Sequence, residues 1–225
     1  MIRKLITQNI VWSALTALLL FVAAGTWRWP QAWVYTALMM GSGIATGLWL
    51  AQHDPALLAE RLKPPIQRDQ APRDKIFMSL LVVLWTAWLT FMALDAERFH
   101  LSHVPVWAQI GGAALNLVAM YAFFVTFREN SFAAPVVKIQ KERGQIVVTT
   151  GPYSYVRHPM YAGASLLFVG TPLLLGSGWG LAFAPVWIAL LAFRIPIEER
   201  ALRDALDGYN EYAARVRYRL VPGVW

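Results

Sequence analysis

The stretch PMYAGASLLFVGTPLLLGSGWGLAFAPVWIALLAF, residues Pro159 to Phe193, decides what kind of protein this is. It runs for 35 residues without Asp, Glu, Lys, Arg or His. A helix rises 1.5 Å per residue, so crossing a hydrocarbon layer of about 30 Å takes about 20 apolar residues. The run is too long for one crossing. Pro172 and Gly176-Ser-Gly178 interrupt it, which predicts two tight antiparallel helices.

Four further uncharged runs lie on the N-terminal side: Leu5–Trp27, Trp29–Gln52, Ile76–Leu94 and Val104–Phe127, of 23, 24, 19 and 24 residues. The first follows Arg3 and Lys4. A signal peptide has a shorter apolar region, of about 7–15 residues, and a small-residue cleavage site, so this run reads as a retained first span. The fold expected is an all-α integral membrane protein of about six transmembrane helices. The last two form the hairpin, joined to a long polar loop and a C-terminal amphipathic tail. Residues 1–127 read as four N-terminal helices with a basic loop at 53–75, and residues 128–225 as the polar loop, hairpin and tail of the same single membrane domain.

Composition agrees. Hydrophobic residues make up 57% and charged residues only 15%, against about 25% charged in soluble domains; mean hydropathy is +0.44. Eleven Trp and eight Tyr suit a protein with two membrane interfaces. The absence of cysteine excludes disulfides, thiolate metal sites and a cysteine nucleophile. With six helices, 18 of the 20 Lys and Arg fall on one side, and only Arg28 and Arg98 on the other. That asymmetry predicts both termini and the long loop before Pro159 in the cytoplasm, in the setting of a bacterial inner membrane. The net charge of +7 is thus assigned to lipid headgroups and topology, not to nucleic acid.

The polar segments carry less information. In 53–75, Leu57, Leu58 and Leu62 sit at helical spacing and predict an interfacial helix up to Pro64-Pro65. The turn holding Asp95, Glu97, Arg98, His100 and His103 matches no zinc spacing and reads as exposed; no metal site is expected. Gly43 and Gly47 have the spacing that lets helices approach closely, and equally reflect ordinary membrane-helix composition.

Immediately before the deciding stretch lies the most chemically dense segment, GPYSYVRHPMYAG, Gly151 to Gly163. Phenols, a cation and an imidazole abut hydrocarbon-like sequence, a costly arrangement that points to a ligand. Upstream, Gln145–Thr150 is β-branched and expected to be extended. Downstream, Arg194 and Glu198 are four apart on one helix face, with Pro196 between them to kink the helix. That pair reads as a helix salt bridge with a snorkelling cation, or as one wall of a pocket.

Gly151-Pro-Tyr153, Arg157-His158-Pro159-x-Tyr161-x-Gly163, Glu198-Glu199-x-x-Leu202, Gly208-Tyr209-x-x-Tyr212 and Arg219-Leu-Val-Pro222 together resemble the isoprenylcysteine carboxyl methyltransferase family. The wider group includes membrane phospholipid N-methyltransferases. The resemblance runs from about Asn130 to the C-terminus. It implies an integral membrane methyltransferase using S-adenosylmethionine. The cofactor would be held by Lys138, the backbone of Gln145, Ile146, Val147 and Val148, then Tyr153, Arg157, His158, Tyr161 and Glu198. Arg194 would face the acceptor, and Arg194 and Glu198 would be the catalytic pair. The partners implied are the membrane and a lipophilic or amphipathic acceptor, foremost a carboxylate; a phospholipid amine, a thiol, or a nicotinamide-dependent enone reductase are the alternatives.

Overall fold

A computed structural model describes residues 1–64, 72–134 and 139–225. Nine α-helices occur among them: α1 (Ile2–Ala24), α2 (Pro30–His53), α3 (Pro55–Arg61), α4 (Pro72–Ala93), α5 (Val106–Glu129), α6 (Pro159–Leu175), α7 (Gly178–Ala182), α8 (Ala184–Ala205) and α9 (Tyr209–Arg215). The described residues contain no strand. Gln145–Thr150 is irregular, with no partner strand, and serves as a wall instead.

Five segments are long and apolar enough to cross a membrane: Ile2–Ala24, Pro30–His53, Lys75–Arg98, Val106–Glu129 and Gly178–Ala205. The sixth expected span is α6, at 17 residues shorter than the rest. This is a multi-pass membrane protein. Its outward apolar surface is large, with Trp12, Val22, Val83, Ile110 and Phe193 all exposed, as lipid-facing residues are.

The closest helix contact joins α5 to α6 rather than the two arms of the C-terminal hairpin. A β-carbon on Gly112 would lie 2.4 Å from the Leu174 amide nitrogen, and one on Gly170 would lie 2.9 Å from Leu115 Cβ. Side chains at either point would force the backbones apart. Asn116, fully buried on α5, accepts from Thr171 Oγ1 on α6 at 3.2 Å. The same device joins α1 and α2, where β-carbons on Gly43 and Gly47 would run into Asn9 and Leu5. Of the two readings of those glycines, the structure selects close approach.

The turn at 94–103 departs from expectation. Leu94–Arg98 is a π-helical turn, and Asp95 is fully buried. Its Oδ2 accepts from Ser102 Oγ at 2.7 Å, from Ser177 Oγ, and from the Trp179 amide at 3.3 Å. Ser177 caps α7 in turn, accepting from the Gly180 amide. Asp95, expected in an open turn for its hydrophilicity, is thus a clamp on the α6–α8 connection, whereas Arg98, His100 and His103 are exposed as expected. Above it, Trp85, Trp88, Phe168 and Trp187 interlock with centroids 5.1–6.2 Å apart. Trp88 Nε1 donates to the Gly180 carbonyl at 3.0 Å.

On the opposite face, α3 forms as an N-capped turn, its Leu57 amide donating to Asp54 Oδ1 at 2.9 Å. Leu57, Leu58 and Leu62 are buried against Leu5, Leu50 and Phe127. This face bears the candidate site.

Candidate functional site

The chain leaves α5, loops over the bundle and re-enters as α6, and the geometry of that re-entry builds the site. Gly151 turns at φ 56, and a β-carbon there would meet Glu129 Cγ at 2.4 Å, so both conformation and space demand glycine. The Tyr153 amide donates to the Thr150 carbonyl at 3.1 Å, and Pro159 opens α6 at a position where no amide hydrogen is needed.

The tail then ties to this turn. The Arg157 and His158 amides donate to the Tyr218 and Arg219 carbonyls at 3.0 and 2.9 Å. The Arg157 guanidinium is buried. It donates from Nε to Glu199 Oε1 at 2.6 Å and from Nη1 to the Val216 and Arg217 carbonyls at 2.6 and 3.0 Å. Arg219 reaches Glu199 Oε2 at 3.3 Å, and His158 Nε2 lies 3.4 Å from Oε1. Glu199 is therefore consumed as a structural hub for two arginines and a histidine.

Its neighbour Glu198 does the opposite. It is half-exposed, accepts from Tyr161 Oη at 2.6 Å, and has no basic partner among the described residues. The ring of Tyr161 stacks on His158 with centroids 5.5 Å apart. Tyr153 Oη accepts from Asn130 Nδ2 at 2.8 Å, and Tyr212 Oη donates to the Tyr153 carbonyl at 2.8 Å. Burial pushes the phenols of Tyr153, Tyr209 and Tyr212 well above their usual range, so each stays protonated and neutral.

These groups surround a cleft of about 850 Å³, counting the part open to solvent. Its walls are the irregular 145–148 stretch, the Tyr153 turn, the start of α6 and the polar end of α8, with Tyr209 and Tyr212 on the far side. Gln145, Ile146, Val147, Val148, Tyr153, Arg157, His158, Tyr161 and Glu198 all line it. Arg157 does so only as part of the wall, because its charge is turned to Glu199 and the tail. Gln145 lends its side-chain oxygen to the Gln140 amide at 2.7 Å, closing the loop. Lys138 falls outside the described residues. Arg194 does not line the cleft. It is buried one helical turn before Glu198, 4.8 Å above the Phe77 ring and 3.4 Å from Met78 Sδ on α4.

Asn130, Arg219 and the hub role of Glu199 escaped the sequence reading. Asn130 has no motif around it. Arg219 and Glu199 belong to quoted motifs, but only the folded tail shows that they meet.

An uncompensated carboxylate facing neutral phenol rings favours a cation that also carries hydroxyl or amine donors.

Residues 107–207 match the family described as phospholipid methyltransferase. Among curated proteins, protein-S-isoprenylcysteine O-methyltransferase B of Arabidopsis thaliana is 40% identical over 83 residues, 36% of this chain and 42% of that protein. Protein-S-isoprenylcysteine O-methyltransferase of Saccharomyces cerevisiae is 30% identical over 131 residues, 56% of this chain and 54% of its own. A probable protein-S-isoprenylcysteine O-methyltransferase of Oryza sativa subsp. indica is 36% identical over 122 residues, 53% and 61% of the two chains. The chain spans about half the length of the curated relatives it matches. The matched family region takes in nearly all of α5, the loop that follows it, α6 and α8, which supply most of the cleft's lining. Over these elements the chain is similar to the phospholipid methyltransferase family and to curated protein-S-isoprenylcysteine O-methyltransferases.

Proposed function

We propose that this protein is an S-adenosylmethionine-dependent methyltransferase that modifies a lipophilic acceptor, foremost the carboxylate of an isoprenylated cysteine. The observation that carries the proposal is the division of labour between adjacent glutamates: Glu199 builds the site, while Glu198 and Tyr161 present a carboxylate–phenol pair to an aromatic cleft. The residues fit the cofactor. Glu198 would take its ammonium or ribose hydroxyls, the phenol faces of Tyr153 and Tyr161 its positive charge, and the backbone of 145–148 its polar edges.

When bound, the cofactor supplies a sulfonium methyl group, which an acceptor oxygen attacks as the carbon–sulfur bond breaks and the electron pair returns to sulfur. The chain's own tasks are alignment and exclusion of water. The Glu199 hub fixes the tail that carries Tyr209 and Tyr212 against the cleft. Arg194 lies deeper than Glu198 along α8, where α8 meets α4, and so stands on the approach from the bilayer. Its guanidinium suits a carboxylate held by two parallel hydrogen bonds. The charge asymmetry of the loops supports a cytoplasmic position for this face. Residues 128–225 would carry the catalysis, and residues 1–127 the membrane frame.

Titration calorimetry of the purified protein with S-adenosylhomocysteine tests the cofactor, with NADPH as the comparison. Binding of the first and not the second is expected; no binding of the first would remove the proposal. Incubation of membranes with methyl-labelled cofactor then identifies the acceptor. Phospholipid N-methylation is the second reading, favoured by the family matched over 107–207. A base-stable label in phosphatidylethanolamine would select it; a base-labile ester would select the first.

A further inference from the structure

A second cleft opens between α1, α2 and α3, sharing no residue with the first. It encloses about 1020 Å³, including its open mouth. Its α1 wall carries Gln8, Asn9, Ser13 and Thr16, and its rim carries Arg61 and Lys63. Asn9, Ser13 and Thr16 are spaced i, i+4, i+7, so one face of a transmembrane helix is polar over about 10 Å of its length.

Polar side chains inside a membrane span are costly and normally satisfied within the protein. Most hydroxyls in these helices follow that rule. Thr36, Ser42, Ser79, Thr86, Thr90, Thr126 and Ser165 each donate to the carbonyl four residues back. Four hydroxyls depart from the rule, with no hydrogen-bond partner among the described residues: Thr7 is exposed and Thr46 lies outside the cleft's lining, whereas Ser13 and Thr16 face the cleft. At the rim, Arg61 donates to the Ala133 carbonyl at 2.9 Å and lies 3.8 Å above the Phe127 ring. It faces no carboxylate among the described residues. Lys63 is half-exposed beside it and pairs with Glu60. The cleft is cationic at headgroup depth, lined with hydroxyls and amides below, and bordered by the exposed apolar residue Trp12.

We infer that this cleft binds one anionic phospholipid as a resident ligand, separate from any methyl acceptor. The headgroup phosphate sits at Arg61 and Lys63, and the glycerol ester oxygens accept hydrogen bonds from Ser13, Thr16 and Gln8. The acyl chains leave past Trp12 into the bilayer. Basic pockets between transmembrane helices are where anionic headgroups are recognised. A soluble phosphoester offers the same charge but nothing to meet the hydroxyls deeper in the membrane, so the lipid is the occupant the geometry favours. Arg61 also holds the Ala133 carbonyl, and Ala133 lines the first cleft; the lipid thus steadies one wall of the first cleft.

The test needs neither turnover nor methyl donor. The full chain, purified in detergent, is titrated with dioleoylphosphatidylglycerol, dioleoylphosphatidylcholine or inorganic phosphate and read by native mass spectrometry and thermal unfolding. One phosphatidylglycerol is expected to bind at least about tenfold more tightly than phosphatidylcholine. Arg61→Gln should weaken it by about tenfold. Because Arg61 also packs against Phe127, the double variant Ser13→Leu/Thr16→Leu provides the independent arm: it fills the floor without touching Arg61 and should lose the same preference. Lys141→Gln, an exposed loop cation, should leave it unchanged. Equal affinity for the two lipids, retention of the preference in the Ser13→Leu/Thr16→Leu variant, or equal stabilisation by inorganic phosphate would each overturn the inference. S-adenosylhomocysteine binding, measured in parallel, reports on the first cleft independently.

Discussion

Glu199→Ala should unfold the C-terminal tail from the site at a cost that the structure allows to be worked out. The Glu199 and Arg157 side chains are 4% and 5% exposed, and their contact is 2.6 Å. Removing one partner of such a pair typically costs about 3–5 kcal/mol, because the other charge is left buried. Two observations move the value within that range. Arg157 keeps its hydrogen bonds to the Val216 and Arg217 carbonyls, so it is not wholly stranded. Arg219, 30% exposed, loses a contact worth less than about 1 kcal/mol. The expected loss is about 3–4 kcal/mol, or a fall in Tm of about 10 °C for a chain of this size. Thermal unfolding in detergent measures it. Hydrogen exchange locates it, because the amides of Arg157 and His158, which donate to the tail carbonyls of Tyr218 and Arg219, should lose protection first. The pair variant Arg157→Met/Glu199→Leu should recover at least half of the loss, since it removes both charges together. A Tm within about 2 °C of the wild type for Glu199→Ala would refute the hub, as would a pair variant no more stable than Glu199→Ala.

Glu198→Gln should behave in the opposite way: unchanged Tm, but affinity for S-adenosylhomocysteine reduced about 10- to 100-fold in calorimetry, a loss of about 1.4–2.8 kcal/mol. Arg194→Ala should abolish methyl transfer while leaving S-adenosylhomocysteine affinity within about twofold; full turnover would remove Arg194 from the reaction. Gly112→Ala should cost about 1–3 kcal/mol by pushing α5 off the α6 backbone, whereas Gly111→Ala, with open space at its β-carbon, should be neutral or stabilising in the same melt. Asp95→Ala should lower Tm by releasing the Ser102, Ser177 and Trp179 donors, and Asp95→Asn should recover part of that loss.

Where the sequence was legible, a single residue's chemistry was enough to place it. Uncharged length decided the spans, because hydrocarbon admits little else. Two things were not legible, and for one reason. Glu198 and Glu199 are identical in type and adjacent in sequence, yet a rotation of about 100° along α8 sends one to the cleft and the other to the tail. Their roles depend on where Arg157 and Arg219 come to rest, and that is set by chain segments 42 and 20 residues away. Asp95 was misread on the same ground. Hydrophilicity argues for an exposed turn, but the α6–α8 connection presents Ser177 Oγ and the Trp179 amide with no helix to accept them, and a buried carboxylate satisfies both. In a membrane domain such clamps gather at the ends of spans, where backbone groups lose their helical partners and lipid supplies no replacement. A charged residue at a span end should therefore be weighed first as a cap for its neighbours. By that measure the hydroxyls of Ser13 and Thr16, which lie within a span and cap nothing, are the stronger sign of a ligand.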